Sequence, residues 1–275
     1  MKYRRPLAAL SIFLFLTLIS QVGGLLVLIH YGAFHLIKRR IKLTLKKKHI
    51  YILSVSLFYL LGIMWLIPAI AAPFGREPLP WKSDNIEASN LSTIILFRNY
   101  SVVGAQGILN EISQNTRALS QNQGIKLVYL DANFPFFDGF PLLPHLSHDD
   151  RKKIDLAFLY SRNGEYQAAQ LPNLIGYGRF EPPQKGEIDQ PDICLDKGFW
   201  QYSSLSFITR RWRTNIQADS YLNACLGISI CSSQHIKRVF LEPHLVNRWK
   251  IKSAKMKFHG CHAVRHDDHF HIEIR

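Results

Sequence analysis

The chain has 275 residues, 47% of them hydrophobic, with 34 Lys and Arg against 20 Asp and Glu, a length for one large domain or two small ones. The net charge of +14 suggests nucleic acid, but ten basic residues precede position 76, where no acidic residue occurs, and the rest carries 24 basic and 20 acidic side chains, only +4. Positive charge gathered beside apolar segments is a juxtamembrane feature drawn to anionic membrane lipid, so nucleic acid is not the expected partner and falls to a weak alternative.

Residues 7–29 and 50–72 are uncharged apolar runs, each reaching the roughly 20 residues that cross a bilayer core. They predict two transmembrane helices in a membrane region over 1–75. A cleaved signal peptide is the competing reading of the first run, which exceeds the usual apolar length of about 7–15 residues. Lys38, Arg39, Arg40, Lys42, Lys46, Lys47 and Lys48 lie between the runs, against Lys2, Arg4 and Arg5 before the first. The larger group predicts a cytoplasmic loop with both flanking ends outside, so that residues 76–275 face the periplasm or exterior of the inner (cytoplasmic) membrane. Phe34, Ile37, Ile41, Leu43 and Leu45, interleaved with those charges, also suit a short helix lying on the membrane.

Pro73 to Trp81 is Pro-rich and reads as extended chain, giving a tether over 76–92 and a globular domain over 93–275. Within the domain, 93–98 suits a strand, 101–121 a helix and 125–130 a strand. A Pro- and Phe-rich loop, Phe134 to Pro141, follows. Then come a strand from Ile154 to Tyr160 closed by an Arg162-Asn163-Gly164 turn, and a long Pro- and Gly-containing excursion over 165–198 running near the site. A helix over 199–224, a strand over 237–241, a brief helix from Glu242 to Trp249 and a final strand with His269 and His271 complete an α+β pattern.

Two patches carry the chemistry. Ser147-His148 is followed seven residues later by Asp155, and the last eleven residues include His266-Asp267-Asp268-His269-Phe270-His271. Side chains at i and i+2 of a strand share a face, so His269 and His271 point the same way. Two imidazoles and one carboxylate, with a position left for water, are what a catalytic zinc needs. Cys194, Cys225, Cys231 and Cys261 form an even set that permits two disulfides in an oxidising compartment, in any of three pairings.

These patches resemble the penicillin-insensitive murein endopeptidases, within the wider group of lysostaphin-type peptidases, D-alanyl-D-alanine peptidases and hedgehog domains. The resemblance spans roughly residues 95–275 in element order, and only the two patches are motif-grade. It implies a small antiparallel sheet with flanking helices, zinc held by His148, Asp155 and His271, and His266 and His269 assisting catalysis beside the metal. It further implies peptide bonds of peptidoglycan stem peptides or cross-links as substrate. Asp267 or Asp268 would orient a neighbouring imidazole. The family favours a small residue, usually Gly, where this chain has Arg151, a costly exchange if that backbone adopts positive φ. Hedgehog-type relatives make a catalytically silent zinc-binding envelope module the alternative.

Other polar residues have plainer readings. His145, His235, His244, His259 and His262 are expected to be structural or on the surface, Asp149 and Asp150 to face solvent, and the aromatics over 134–140 to pack in a core or line a peptide cleft. Arg210, Arg211 and Arg213 read as a solvated helix face, with a carboxylate clamp as the functional reading. Oligomeric state leaves no signature in the sequence.

Overall fold

The computed structural model describes residues 4–40, 47–143, 146–203 and 215–275. His145, Arg210, Arg211, Arg213 and the loop residues Ile41 to Lys46 lie outside them.

Helix α1 (Arg4–Ser20) and helix α2 (Gly23–Arg40) divide the first apolar run, with Gln21 between them in the left-handed region at φ 63°. The expected first span is therefore corrected: it is two shorter helices. Gly24 explains the sharp reversal, since a Cβ there would lie 2.4 Å from the Phe13 carbonyl oxygen and 2.2 Å from Thr17 Oγ1 on α1. Helix α3 (Lys47–Leu61) continues through a π-turn (Gly62–Leu66), α4 (Ile67–Ala71) and a 3₁₀ turn to Phe74. Its His49–Phe74 portion is the one described helix long and apolar enough to cross a membrane. Helix α2 runs antiparallel to α3: Leu26 meets Gly62, His30 Nε2 lies 3.0 Å from Ser54 Oγ, and Phe34 packs edge-on against Tyr51. Arg4 and Arg5 of α1 thus fall at the same end of the helical unit as Lys38 to Arg40.

Strand β1 (Arg76–Pro78) follows, then β2 (Ile86–Ala88), α5 (Leu91–Ile95), β3 (Tyr100–Val102), α6 (Ala105–Ser120), β4 (Leu127–Tyr129), β5 (Lys153–Ala157), β6 (Tyr160–Arg162) and β7 (Glu165–Tyr166). After these come α7 (Gln190–Asp196), β8 (Gln217–Ala218), α8 (Ser220–Ser232), β9 (Ile236–Phe240), α9 (Pro243–Arg248), β10 (Met256–Lys257) and β11 (His269–Ile274). The main sheet has the order β10-β9-β11-β5-β4-β2; its two outer pairings are parallel and the inner three antiparallel, so it is mixed rather than purely antiparallel. Residues 76–92 supply β1 and the edge strand β2, and so belong to the domain rather than to a free tether.

Alternation builds the two faces of the sheet. Ile154 and Leu156 of β5 and Phe270, Ile272 and Ile274 of β11 pack with Leu109 and Ile112 of α6 and Leu222, Leu226 and Ile230 of α8 in one core. The intervening residues, Asp155 of β5 and His269 and His271 of β11, face the opposite side.

Three expected elements differ. Residues 91–95 are helical where 93–98 was expected to be a strand, because Asn90 Oδ1 accepts the Thr93 N–H at 3.2 Å and starts a helical turn. Of the expected helix over 199–224, residues 204–214 lie outside the described residues; Trp200–Ser203 form a 3₁₀ turn, 217–218 are β8 and 220–224 are the first residues of α8, whose start is fixed by Asp219 Oδ1 accepting the Leu222 N–H at 3.0 Å. The strand from Ile154 to Tyr160 is split, and β6 joins a separate three-stranded sheet with β7 and β8.

Candidate metal centre

Strands β5 and β11 pair antiparallel with His271 directly opposite Asp155 and His269 opposite Ala157, whose short side chain leaves room between the strands. His148 arrives on the loop before β5. The turn after it needs a left-handed residue, and Arg151 occupies it at φ 61°. Its guanidinium donates to the Phe74 carbonyl at 2.7 Å, and its carbonyl accepts from Val102 N at 3.1 Å and Ser101 Oγ at 3.0 Å. Arg151 thus ties the loop that carries His148 to the end of the long apolar helix.

His148, Asp155, His266, His269 and His271 are all buried. Asp155 Oδ1 is the focus: it lies 3.1 Å from His148 Nε2, 2.8 Å from His271 Nδ1 and 3.5 Å from His269 Nε2. His148 Nδ1 donates to the Ala132 carbonyl at 2.6 Å, which sets the ring with Nε2 directed at Asp155 Oδ1.

The residues present fit a metal ion. His148, Asp155 and His271 form one set whose donor atoms lie within 4.8 Å of one another, and His266, His269 and His271 form a second, overlapping set. Ligands at about 2.0–2.1 Å from a tetrahedral ion stand roughly 3.3 Å apart, close to the distances at Asp155. The first set offers nitrogen and oxygen donors, the types that bind several divalent transition-metal ions.

His269 Nδ1 is hydrogen-bonded to Asp268, whose second oxygen accepts the Gly178 N–H. That fixes the ring with Nε2 toward the metal-binding cluster. Burial disfavours the charged form of His269, but the Asp155 and Asp268 carboxylates outweigh it and raise its pKa to about 10 in the metal-free cluster. His271 is lowered to about 4 by burial, against the pull of Asp155, and so presents a neutral ligand. His266 is pushed well below its ordinary value by burial and then by His269 and His271, and its backbone N–H donates to Glu242 Oε1 at 3.1 Å. Asp267 does not touch an imidazole: it pairs with Arg265, which lies over the Phe180 ring, and burial raises its pKa to about 7. Of the two acidic candidates for orienting a histidine, Asp268 does so and Asp267 does not.

The excursion over 165–198 does run beside the site, and it contributes a residue that no motif announces. Tyr177 OH donates to Asp155 Oδ2 at 2.6 Å and its ring meets His269 edge-on at 5.1 Å. The Asp155 carboxylate is therefore held on its outer oxygen while Oδ1 faces the histidines. Gly176, at φ 82°, is the one local signal, since only Gly takes that conformation without strain. A cavity of about 290 Å³ opens beside His269, walled by Leu96, Leu130, Ile175, Phe180 and Val264.

Other expected residues sit elsewhere. Phe134 and Phe140 pack on each other, and Phe136 and Phe137 pack on Phe74; none of the four lines this cavity. His244 is buried with Nε2 2.7 Å from the Glu181 carbonyl, and His235 and His262 are exposed. His259 borders the cluster, stacked on Phe240 with its ring 5.1 Å from His266. The cysteines make one disulfide, Cys194–Cys261, which pins the excursion to the segment before β11. Cys225 and Cys231 are free, so of the two bridges that the even count permits one forms.

No protein-family model and no curated protein matches the chain.

Proposed function

We propose that the protein is a membrane-anchored zinc hydrolase acting on peptide bonds, with peptidoglycan stem peptides or their cross-links as substrate. The observation that carries this reading is the convergence of His148 and His271 on Asp155 Oδ1, with a second, carboxylate-oriented imidazole, His269, beside them. His148, Asp155 and His271 would hold the ion. Zinc bound there supplies Lewis acidity and brings the pKa of its water toward about 7. His269, steered by Asp268, is placed to hold a proton or steady developing negative charge, and His266 is the second group in reach of the same space. Tyr177 keeps Asp155 in one orientation, and the apolar walls near His269 exclude water from the reacting atoms.

The anchoring side of the proposal rests on the long apolar helix and the basic residues at one end of it. Those charges favour the cytoplasmic face, which leaves the domain outside the inner membrane, and the Cys194–Cys261 bridge suits that oxidising side. The test is zinc analysis of the purified full chain with digestion of cross-linked muropeptides. Bound zinc, new peptide termini and loss of both in Asp155→Asn support the proposal. Zinc without any cleavage, unchanged by His269→Ala, selects the silent envelope module instead. Absence of zinc overturns both.

A further inference from the structure

The domain grips the helical unit well below its top. Tyr59 OH donates to the Ile95 carbonyl at 2.9 Å and its ring packs on Phe97, while Gln21 accepts the Phe136 N–H at 2.8 Å. Tyr59 lies eleven residues beyond Lys48 on α3, a rise of about 16 Å at about 1.5 Å per residue. Along α2, the twelve residues from Leu26, opposite Gly62, to Lys38 give about 18 Å. Both are short of the roughly 30 Å of a hydrocarbon core. If the helix ends at Arg40 and Lys47 lie at one headgroup layer, helix α5 lies about 10 Å beneath the other.

The surface at that level is apolar. Leu91 and Ile95, one turn apart on the outer face of α5, are 56% and 37% exposed; Phe137, beside the α1–α2 turn, is 61% exposed. Leu143, whose carbonyl accepts from Arg98, and Leu174 and Ile175 continue the patch around the cavity, which Ser92 and Ile175 both line. Inside the cavity the two guanidiniums are already paired, Arg98 with Asp131 and Arg265 with Asp267, so the walls favour an apolar group over a charged one.

We propose that the domain is seated in the outer leaflet through Leu91, Ile95, Phe137, Leu143 and Ile175, and that the cavity beside His269 is reached from the lipid, by an amphiphilic substrate. The occupant of the patch is the bilayer itself, continuous with the lipid around α3. The seating stands apart from the hydrolase reading, whereas the amphiphilic substrate rests on it.

The experiment uses the full chain in nanodiscs containing phosphatidylglycerol, with Cys225→Ser and Cys231→Ser to leave the disulfide as the only cysteine pair. A nitroxide is placed in turn by Leu57→Cys on α3, Leu91→Cys, Ile175→Cys and Leu119→Cys on α6. Accessibility to oxygen is compared with accessibility to a water-soluble nickel chelate. The expected result is a lipid-like ratio at 57, 91 and 175 and a water-like ratio at 119. Water-like ratios at 91 and 175 with a lipid-like 57 overturn the seating alone; a water-like 57 overturns the membrane reading as well. The substrate is read separately, by comparing one cross-linked muropeptide free in solution with the same peptide carried on a lipid in the disc. A lower KM for the lipid-borne form is expected, and equal KM values refute access from the leaflet. If neither form is cleaved the substrate proposal falls, and the spin-label result still decides the seating.

Discussion

At the scale of single residues, the centre depends on groups that fix one another's direction. Tyr177 makes one short bond to the outer oxygen of Asp155, and losing such a support typically lowers metal affinity about 10–100-fold. Tyr177→Phe is therefore expected to weaken zinc binding by that factor in a chelator competition while leaving the melting temperature nearly unchanged; unchanged affinity would refute the role. Gly176 next to it has positive φ, and a Cβ would come within 2.2 Å of Leu130 Cδ2. Gly176→Ala is expected to lower the unfolding free energy by about 1–3 kcal/mol and to disturb zinc binding through Tyr177. Arg151 shows a different compromise. Its left-handed backbone is unfavourable for a side chain, yet the guanidinium bond to Phe74 compensates in a way Gly cannot.

At the scale of elements, short helices are set by caps and long connections by covalent pins. Asp219 caps α8 and also accepts from Ser161 Oγ at 2.5 Å, joining that helix to β6 of the three-stranded sheet through one carboxylate. Asp219→Ala is expected to cost about 1 kcal/mol or somewhat more, read from a denaturant midpoint. The Cys194–Cys261 bridge closes a loop of 67 residues, for which chain entropy gives about 4 kcal/mol. Mild reduction should lower the melting temperature and free the 165–198 excursion, so zinc affinity should fall with it; a reduced protein with unchanged affinity would show that packing alone holds Tyr177 in place.

At the scale of the molecule, stability should vary with pH through ion pairs remote from the histidine cluster. Hydrogen bonds from Arg248 hold the Glu187 carboxyl at about 2, below its unfolded value of about 4.3. A carboxyl depressed on folding stabilises the native state fully above its unfolded pKa and loses that contribution as pH falls through the folded one. The denaturant midpoint is therefore expected to drop between about pH 5 and 2, and to drop less in Glu187→Gln; parallel curves for the two proteins would contradict this.

The residue alternation in the last strand, the apolar runs and the two His- and Asp-bearing patches are local patterns, and the sequence by itself determined the buried face of β11, the side-chain types available to the buried cluster and the apolar character of the start. The helix α6 and strands β4, β9 and β11 followed from periodicity for the same reason. What no local pattern holds is how distant segments meet. Only the tertiary structure decided that His271 stands opposite Asp155, that Cys194 pairs with Cys261, and that Tyr177 reaches Asp155 from a Pro- and Gly-rich excursion. It also decided that the first apolar run folds back at Gln21, where close approach of Gly24 to α1 and bonds to the 136–137 loop outweigh the tendency of an apolar run to continue as one helix.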